Sequence, residues 1–402
     1  MSGSEEFLVT PDPDDPRLTQ RVKGIDQDGE TLETSVTVER PLTLFLNGQE
    51  IITMMSICDF PEYLAVGYLL NQNMLLPDDV ITAVEYEPDI DTVVVRTERK
   101  AYREKVRNFV PGYTFTASKP GLKAHLAITK GCNNFCSFCI VPITRGLEVS
   151  REAGNILDEA KRLVDSGTRE ICLLGQNVNS YKAEGVTFVN LLEELDQIKG
   201  LERVRFTSPH PKDFREELAD AIRDLRTVCE QMHLPLQSGS NAILRQMRRW
   251  YTQEKYLEKV EMLRSRVPDA ALSTDLIVGF PGETEADFED TLSVVREAQF
   301  DMMYAFKYSP RPGTPAAQYD GQLPDEVRRE RLRVLLEVQG EISRAKQKAL
   351  VGSEQEVLVE GPHPRESGCW TGRTRGNYAV AVRAETVRTG DLLPVRLIGT
   401  RT

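Results

Sequence analysis

The chain has 402 residues, 40% of them apolar, enough to bury two or three separate cores. It has no apolar run approaching about 18 residues, which excludes a membrane-crossing helix, and its acidic, Pro-rich start, MSGSEEFLVTPDPDDP, is unlike a signal peptide. The net charge of −12 is uneven: residues 1–98 hold 20 acidic and 5 basic side chains, net −15, which leaves +3 for residues 99–402. That mildly basic remainder is compatible with an RNA substrate. Seven Cys, three of them clustered, do not make a disulfide framework, and the expected setting is a reducing cytoplasm.

In chain order, residues 1–98 read as an α+β fragment. Strand-like alternation covers 35–46 and 80–96, and Pro61 opens a predicted helix through Asn71. Residues 99–123 are a basic linker. It carries seven Lys/Arg against one Glu, with Tyr102, Phe109, Tyr113 and Phe115 interleaved, and is broken by Pro111-Gly112 and Pro120-Gly121. A solvated linker and a nucleic-acid contact both fit it. From Ala124 a strand–loop–helix rhythm repeats six times. Strands are predicted near 124–129, 170–174, 203–207, 231–236, 273–278 and 302–308. Amphipathic helices include 152–165, 188–198, 252–264 and 285–298. Alternating strands and helices predict a parallel sheet with right-handed crossovers, and six units predict an open, partial (β/α)6 barrel. A long charged helix over 324–350 closes this 124–350 domain. Residues 351–402 return to short strands with Gly turns, as in a small β-barrel.

Chemistry in such a barrel lies at the C-terminal ends of the strands. The first of these loops, GCNNFCSFCI (131–140), places Cys132, Cys136 and Cys139 within eight residues. Thiolates select zinc, copper(I) or iron–sulfur clusters. A structural zinc site needs four ligands, and no fourth Cys or His lies in this loop. Three thiolates on a cubane leave one iron open to a ligand. A zinc knuckle completed by a distant His such as His125, and three unrelated core thiols, are the alternatives.

The other five rim loops are GQNVNSY (175–181), SPHP (208–211), QSGS (237–240), GFPGET (279–284) and SPRPGTP (309–315). Gly175 and Gly279 would let backbone approach a cofactor closely. Gln176, Asn177 and Gln237 offer neutral amide donors and acceptors to such a cofactor. Cys172, Cys229 and His233 read as core residues, Cys58 and Cys369 are isolated, and His210 stands at the rim between prolines. In the tail, Trp370 and Tyr378 with Arg373, Arg375 and Arg383 form an aromatic–basic group. Ordinary packing and RNA stacking with phosphate contact both suit it.

The C-x3-C-x2-C spacing with Phe138 before the last Cys resembles the cluster loop of radical S-adenosylmethionine (SAM) enzymes. From Ala124 onward the chain is similar to the tRNA methylthiotransferases that act on isopentenyl-adenosine beside the anticodon. The motifs are GCNNFCSFCIVPITRGLEVSR (131–151), LLGQNVNSY (173–181), RFTSPHP (205–211), LPLQSGSNAILRQMRR (234–249), DLIVGFPGETEADFE (275–289) and SPRPGTPAA (309–317). The tail resembles the RNA-binding TRAM barrel of that family. The resemblance implies that Cys132, Cys136 and Cys139 ligate a [4Fe–4S] cluster whose open iron chelates SAM. It also implies that Gly175, Gln176, Asn177, Gln237 and Gly279 line the SAM site, that Arg145 and Arg311 lie near substrate, and that Arg373, Arg375 and Arg383 touch tRNA. No catalytic side chain is assigned. An external electron donor and a sulfur donor protein are the implied partners besides tRNA.

Upstream the chain departs from that family, whose members begin with a domain carrying three more Cys and a second cluster. Residues 7–98 instead resemble the start of the formate dehydrogenase accessory sulfurtransferase, notably at VERPLTLFLNGQEIITMM (38–55) and PEYLAVGYLLNQNML (61–75). Less than that family's whole fold predicts a thin core and weak order there. The expected activity is methylthiolation of isopentenyl-adenosine in tRNA, with sulfur transfer impaired without the second-cluster domain. The alternative is a catalytically incomplete tRNA-binding remnant or a sulfur-trafficking accessory protein.

Overall fold

The computed structural model describes residues 18–25, 31–71, 74–75, 79–98, 121–384 and 386–400. The aromatic–basic residues predicted between 99 and 120 lie outside them. The chain divides into two compact units, whose described parts are 18–98 and 121–400.

In the first unit, β1 (Thr19–Ile25) and β2 (Thr31–Thr37) pair antiparallel. A separate four-stranded sheet has the order β4-β3-β6-β5, with β3 Arg40–Leu46, β4 Gln49–Ser56, β5 Ile81–Glu87 and β6 Thr92–Thr97. The 35–46 run therefore divides between two sheets. Asn47 and Gly48, both at positive φ, make the tight β3–β4 turn that Asn-Gly favours. Alternation buries Leu42, Leu44 and Leu46 on one face of β3, beside Val93 and Val95 of β6. Helix α1 (Pro61–Asn71) covers them with Ala65 and Leu69. Each such buried aliphatic side chain contributes roughly 1.5–3 kcal/mol, so the fragment closes a small core of its own.

In the second unit, six parallel strands run β7 (Lys123–Ala127), β10 (Glu170–Leu174), β13 (Arg203–Phe206), β14 (Gln231–His233), β15 (Ala271–Val278) and β16 (Met302–Lys307). They form two sheets, β7-β10-β13 and β14-β15-β16, joined by a parallel bridge between Val204 and Val228. This is the expected open barrel of six units. The predicted 231–236 strand ends at His233 because Pro235 has no N–H for the ladder. Short pairs β8 (Thr129–Lys130) with β9 (Val149–Ser150), and β11 (Lys182–Ala183) with β12 (Val186–Thr187), lie in the rim loops.

The crossover helices are amphipathic. They turn Ile156, Ala160, Leu163, Leu191, Leu195, Val260 and Leu292 onto the sheet. The long helix, α2, spans Asp325–Ala349 and packs Leu335 and Ile342 into the same core. The tail folds as an antiparallel sheet of order β19-β18-β17-β20, with β17 Glu354–Pro362, β18 Cys369–Thr374, β19 Ala379–Arg383 and β20 Leu392–Arg396.

That tail docks on the N-terminal ends of the barrel strands, opposite the Cys loop. Arg203, fully buried, donates to the carbonyl of Arg373 (2.7 Å) and to the carbonyl and carboxylate of Glu356. Arg205 donates to the carbonyls of Arg375 (2.7 Å) and Thr374 (2.8 Å). Glu170, buried between them, balances the charge of Arg205 at 3.3 Å and of Lys123 at 3.6 Å. Buried charges persist only when paired in this way.

Candidate functional site

The Cys loop leaves β8 through Gly131. Its positive φ and the Leu147 carbonyl against its α-carbon leave no space for a side chain. Gly131 N–H donates to Gln176 Oε1 (2.6 Å), and Cys132 N–H to the Gly146 carbonyl (3.2 Å). The middle of the loop is clamped from two other rim segments. Ser137 donates through N–H to the Met247 carbonyl (3.0 Å) and through its hydroxyl to the Gln246 carbonyl (2.8 Å). Its own carbonyl accepts from Ala316 N–H at 2.9 Å. Phe138 packs on a small apolar cluster of Ile243, Met247, Phe280, Tyr308 and Ala316. Phe135, at positive φ, projects into solvent.

Cys132 and Cys136 are buried and Cys139 is half-buried. Burial pushes the Cys132 and Cys139 thiols up, opposed by backbone hydrogen bonds from Asn134 and Val141. Among the described residues no three Cys, His, Asp or Glu converge as they would on a single metal ion.

Of the residues expected beside a nucleoside cofactor, Gln176 reaches the Cys loop and its neighbours Gly175 and Asn177 pack beside it in the second rim loop. Gln176 holds Gly131, as above. Gly175 lies against Thr129 Oγ1, so that any β-carbon there would strike the hydroxyl. Asn177 is buried and donates to Asp213 Oδ2 (2.9 Å). Among the described residues, Thr129 Oγ1, Asn177 Oδ1 and His210 Nε2 on this rim are buried without a hydrogen-bond partner. Unpaired buried acceptors and donors are uncommon, and here they are available to a polar ligand. His210 is pushed down to about 2 by burial, then by Arg249 and Lys212, so its ring is neutral.

Gln237 is held at positive φ where the chain leaves β14, its N–H on the Asp275 carbonyl (2.8 Å). Gly279 is placed differently from the expectation. Its α-carbon faces the Arg328 side chain of α2, and its N–H donates to Glu283 Oε1 (2.9 Å). Glu283 is itself paired with buried Arg331 at 2.6 Å. Arg145 and Arg311 are exposed at the rim.

In the tail, Arg375 sets its guanidinium on both oxygens of Glu230 (2.6 and 3.0 Å) and on the Val228 carbonyl. Arg373 bonds Asn377 and pairs with Glu360 at 3.3 Å. Arg383, with its side chain 81% exposed, pairs with Glu366. Tyr378 hydrogen-bonds Asp301 of the barrel. The residue that sequence reasoning passed over is Arg249, buried with Nη1 3.5 Å from Cys136 Sγ. It closes the 234–249 motif, but nothing in its spacing marks it as a neighbour of the Cys loop.

Three segments match family models: residues 126–295 the radical SAM superfamily, residues 348–401 the TRAM domain, and residues 37–130 the FdhD/NarQ family. The chain is 52% identical over 285 residues to a tRNA-2-methylthio-N(6)-dimethylallyladenosine synthase of Moorella thermoacetica, covering 70% of this chain and 64% of that one. It is 48% identical over 282 residues to the protein of the same name from Acetivibrio thermocellus, covering 69% and 59%. It therefore spans about three-fifths of the length of these curated relatives. Among solved structures it is similar to a radical S-adenosylmethionine methyltransferase of Kitasatospora setae with cobalamin and a [4Fe–4S] cluster bound. That match has a TM-score of 0.42 and 21% identity, and covers 49% of this chain and 39% of that one. The cofactors of the radical SAM superfamily are a [4Fe–4S] cluster and SAM, and the donor set and unpaired rim atoms described above fit them. The chain thus joins a radical SAM segment and a TRAM segment, both resembling tRNA methylthiotransferases of the isopentenyl-adenosine type, to a segment resembling FdhD/NarQ.

Proposed function

We propose that this chain is a cytoplasmic radical SAM enzyme acting on isopentenyl-adenosine next to the anticodon of tRNA, with Cys132, Cys136 and Cys139 as the cluster ligands. The observation that carries the reading is the Cys loop itself. It brings three thiols of one loop to the C-terminal rim of a six-stranded barrel, clamped by backbone bonds at Ser137. When bound, the cluster and SAM supply a 5′-deoxyadenosyl radical able to take hydrogen from an unactivated carbon. The chain's own residues do the positioning. Gln176 and Asn177 border the cofactor, with Thr129 Oγ1, Asn177 Oδ1 and His210 Nε2 as its hydrogen-bonding groups. Neutral His210 accepts from Lys212 N–H through Nδ1, so its Nε2 carries the proton and can donate one hydrogen bond without adding charge. Gln237 completes the cofactor side, and Arg145 and Arg311 meet the RNA at the rim.

The tail supplies RNA affinity on the far side of the barrel. Arg383 is the side chain placed for phosphate contact. Arg373 and Arg375 act chiefly by fixing the tail, since their donors are engaged within the chain. Complete methylthio transfer also needs a sulfur atom held near the adenine carbon. Outside the Cys loop the thiols are Cys58, Cys172, Cys229 and Cys369, far apart in the sequence and without a second Cys-rich loop. We therefore infer that sulfur comes from a donor protein and electrons from an external reductant. The test is anaerobic reconstitution with SAM, reductant and isopentenylated tRNA, followed by mass spectrometry of the nucleosides. We expect 5′-deoxyadenosine with little methylthiolated product unless a sulfur protein is added. Efficient methylthiolation by this chain alone would contradict the sulfur inference. Failure to cleave SAM with a full cluster would favour a tRNA-binding remnant.

A further inference from the structure

Arg249 is a buried cation without a carboxylate. Its residue exposure is 5%, and among the described residues no Asp or Glu lies within ion-pair distance of it. The local chain forces it inward. The helix Asn241–Gln246 ends with Arg248 in the left-handed region, and Arg249 N–H returns to the Leu244 carbonyl at 2.9 Å. The guanidinium then spends its fork on three partners. Nε donates to Tyr251 Oη (2.8 Å), Nη2 to the Pro235 carbonyl (2.9 Å) and Nη1 to Cys136 Sγ (3.5 Å).

A guanidinium removed from water calls for an anion. Pro235 offers a neutral carbonyl. Tyr251 is neutral too, its phenol donating to the Leu236 carbonyl at 2.8 Å. His210, whose ring lies 5.8 Å from that of Tyr251, can carry only positive charge. Cys136 is the one partner able to become negative, and it does so as a metal ligand. We propose that Arg249 is the built-in counter-cation of the cluster. It hydrogen-bonds the Cys136 thiolate and raises the reduction potential of the cluster held by Cys132, Cys136 and Cys139. The inference rests on the cluster reading above and assigns the chain's own control over it. A positive charge and a hydrogen bond at a ligating sulfur stabilise the more negative, reduced cluster. Arg249 is thus a positioning residue that acts through Cys136. Arginine suits the place because its planar fork reaches three fixed acceptors at once, which a lysine ammonium cannot do.

The experiment uses the full chain, reconstituted anaerobically, as the unaltered protein, Arg249→Met and Arg249→Gln. Iron is counted, folding is checked by circular dichroism, and the cluster midpoint is read by a dithionite titration followed by electron paramagnetic resonance. The expected result is a negative shift of the midpoint in Arg249→Met with iron retained, and a smaller negative shift in Arg249→Gln, which keeps a donor without the charge. An unchanged midpoint in a folded, iron-replete Arg249→Met overturns the proposal. If Arg249→Met is not iron-replete, Arg249→Gln decides: a negative shift supports the proposal and an unchanged midpoint overturns it. Loss of iron from both variants with the fold intact also supports it. Global unfolding of both overturns it, because Arg249 would then serve the fold. Failure of the unaltered chain to take up iron contradicts the cluster reading, and this inference with it.

Discussion

The Arg375 guanidinium grips both carboxylate oxygens of Glu230, at 2.6 and 3.0 Å, and so ties the tail sheet to the barrel just ahead of β14. With Arg203 and Arg205 donating the other way, into tail carbonyls, the two segments hold each other by reciprocal charge-assisted bonds. Such bonds are roughly twice as strong as neutral ones. Arg375→Ala should therefore destabilise the chain by about 1–3 kcal/mol. Glu230→Ala should cost a similar amount, with a double mutant less than additive. Urea unfolding followed by tail and barrel probes measures this. Additive losses would mean that the pair is not coupled.

RNA affinity should separate the tail arginines. Arg383→Ala should weaken tRNA binding and lower the salt slope by about one contact. Arg375→Ala should weaken binding with the slope little changed. Filter binding over a range of salt tests this, and equal slope changes for both would show that Arg375 also meets phosphate.

The Cys loop should depend on its entry turn as much as on its thiols. A side chain at Gly131 would meet the Leu147 carbonyl, a backbone group that cannot step aside, at a φ that L residues rarely adopt. Gly131→Ala should lose most of the iron that the unaltered chain takes up, about four per chain for one cubane. Cys132→Ala, Cys136→Ala and Cys139→Ala should behave alike, while Cys172→Ala and Cys229→Ala should keep their iron. Equal iron loss in the last two would move the ligands elsewhere.

His210 should give the iron-free chain a pH-dependent stability. Its folded value, about 2, lies below the ordinary histidine value near 6.5. Between those limits the unfolded chain binds the extra proton, so folding is favoured as pH rises and weakens as it falls below about 6.5. The loss is at most about 1.4 kcal/mol per pH unit in that window. Urea titrations at pH 7.5 and 5.5 should show a smaller difference for His210→Gln than for the unaltered chain. An unchanged difference would place the effect on other groups.

Cys58, the one thiol of residues 1–98, is buried, and burial followed by Asp91 pushes it up. A protonated, inaccessible thiol is a poor nucleophile. Cys58 should react slowly with iodoacetamide at pH 7.5 and form no persulfide with a cysteine desulfurase. A persulfide on Cys58 passed onward to the barrel would reverse this view of the segment.

The six-strand rhythm was legible because buried strands and amphipathic helices carry distinct periods, and the Asn47-Gly48 turn because few residues tolerate its backbone. The Cys triad stands out from local spacing alone, and its role as the cluster ligands is the proposal made above. The docking of the tail was not. Arg203 and Arg205 read as ordinary alternation in a strand, and Arg375 as one of three equivalent cations. Their partners lie about 150 or more residues away in the chain. Gln176 was expected at the cofactor and also fastens Gly131, while Gly279 faces Arg328. Contacts of this kind are set by which segments the fold brings together, and no local pattern encodes them.

The most direct test of the central claim is the yield of 5′-deoxyadenosine from SAM, measured by mass spectrometry on the anaerobically reconstituted chain with dithionite. The unaltered chain should form it, and Cys136→Ala should not. An unaltered chain that holds about four irons yet forms no 5′-deoxyadenosine would contradict the assignment of the Cys loop as a SAM-cleaving centre.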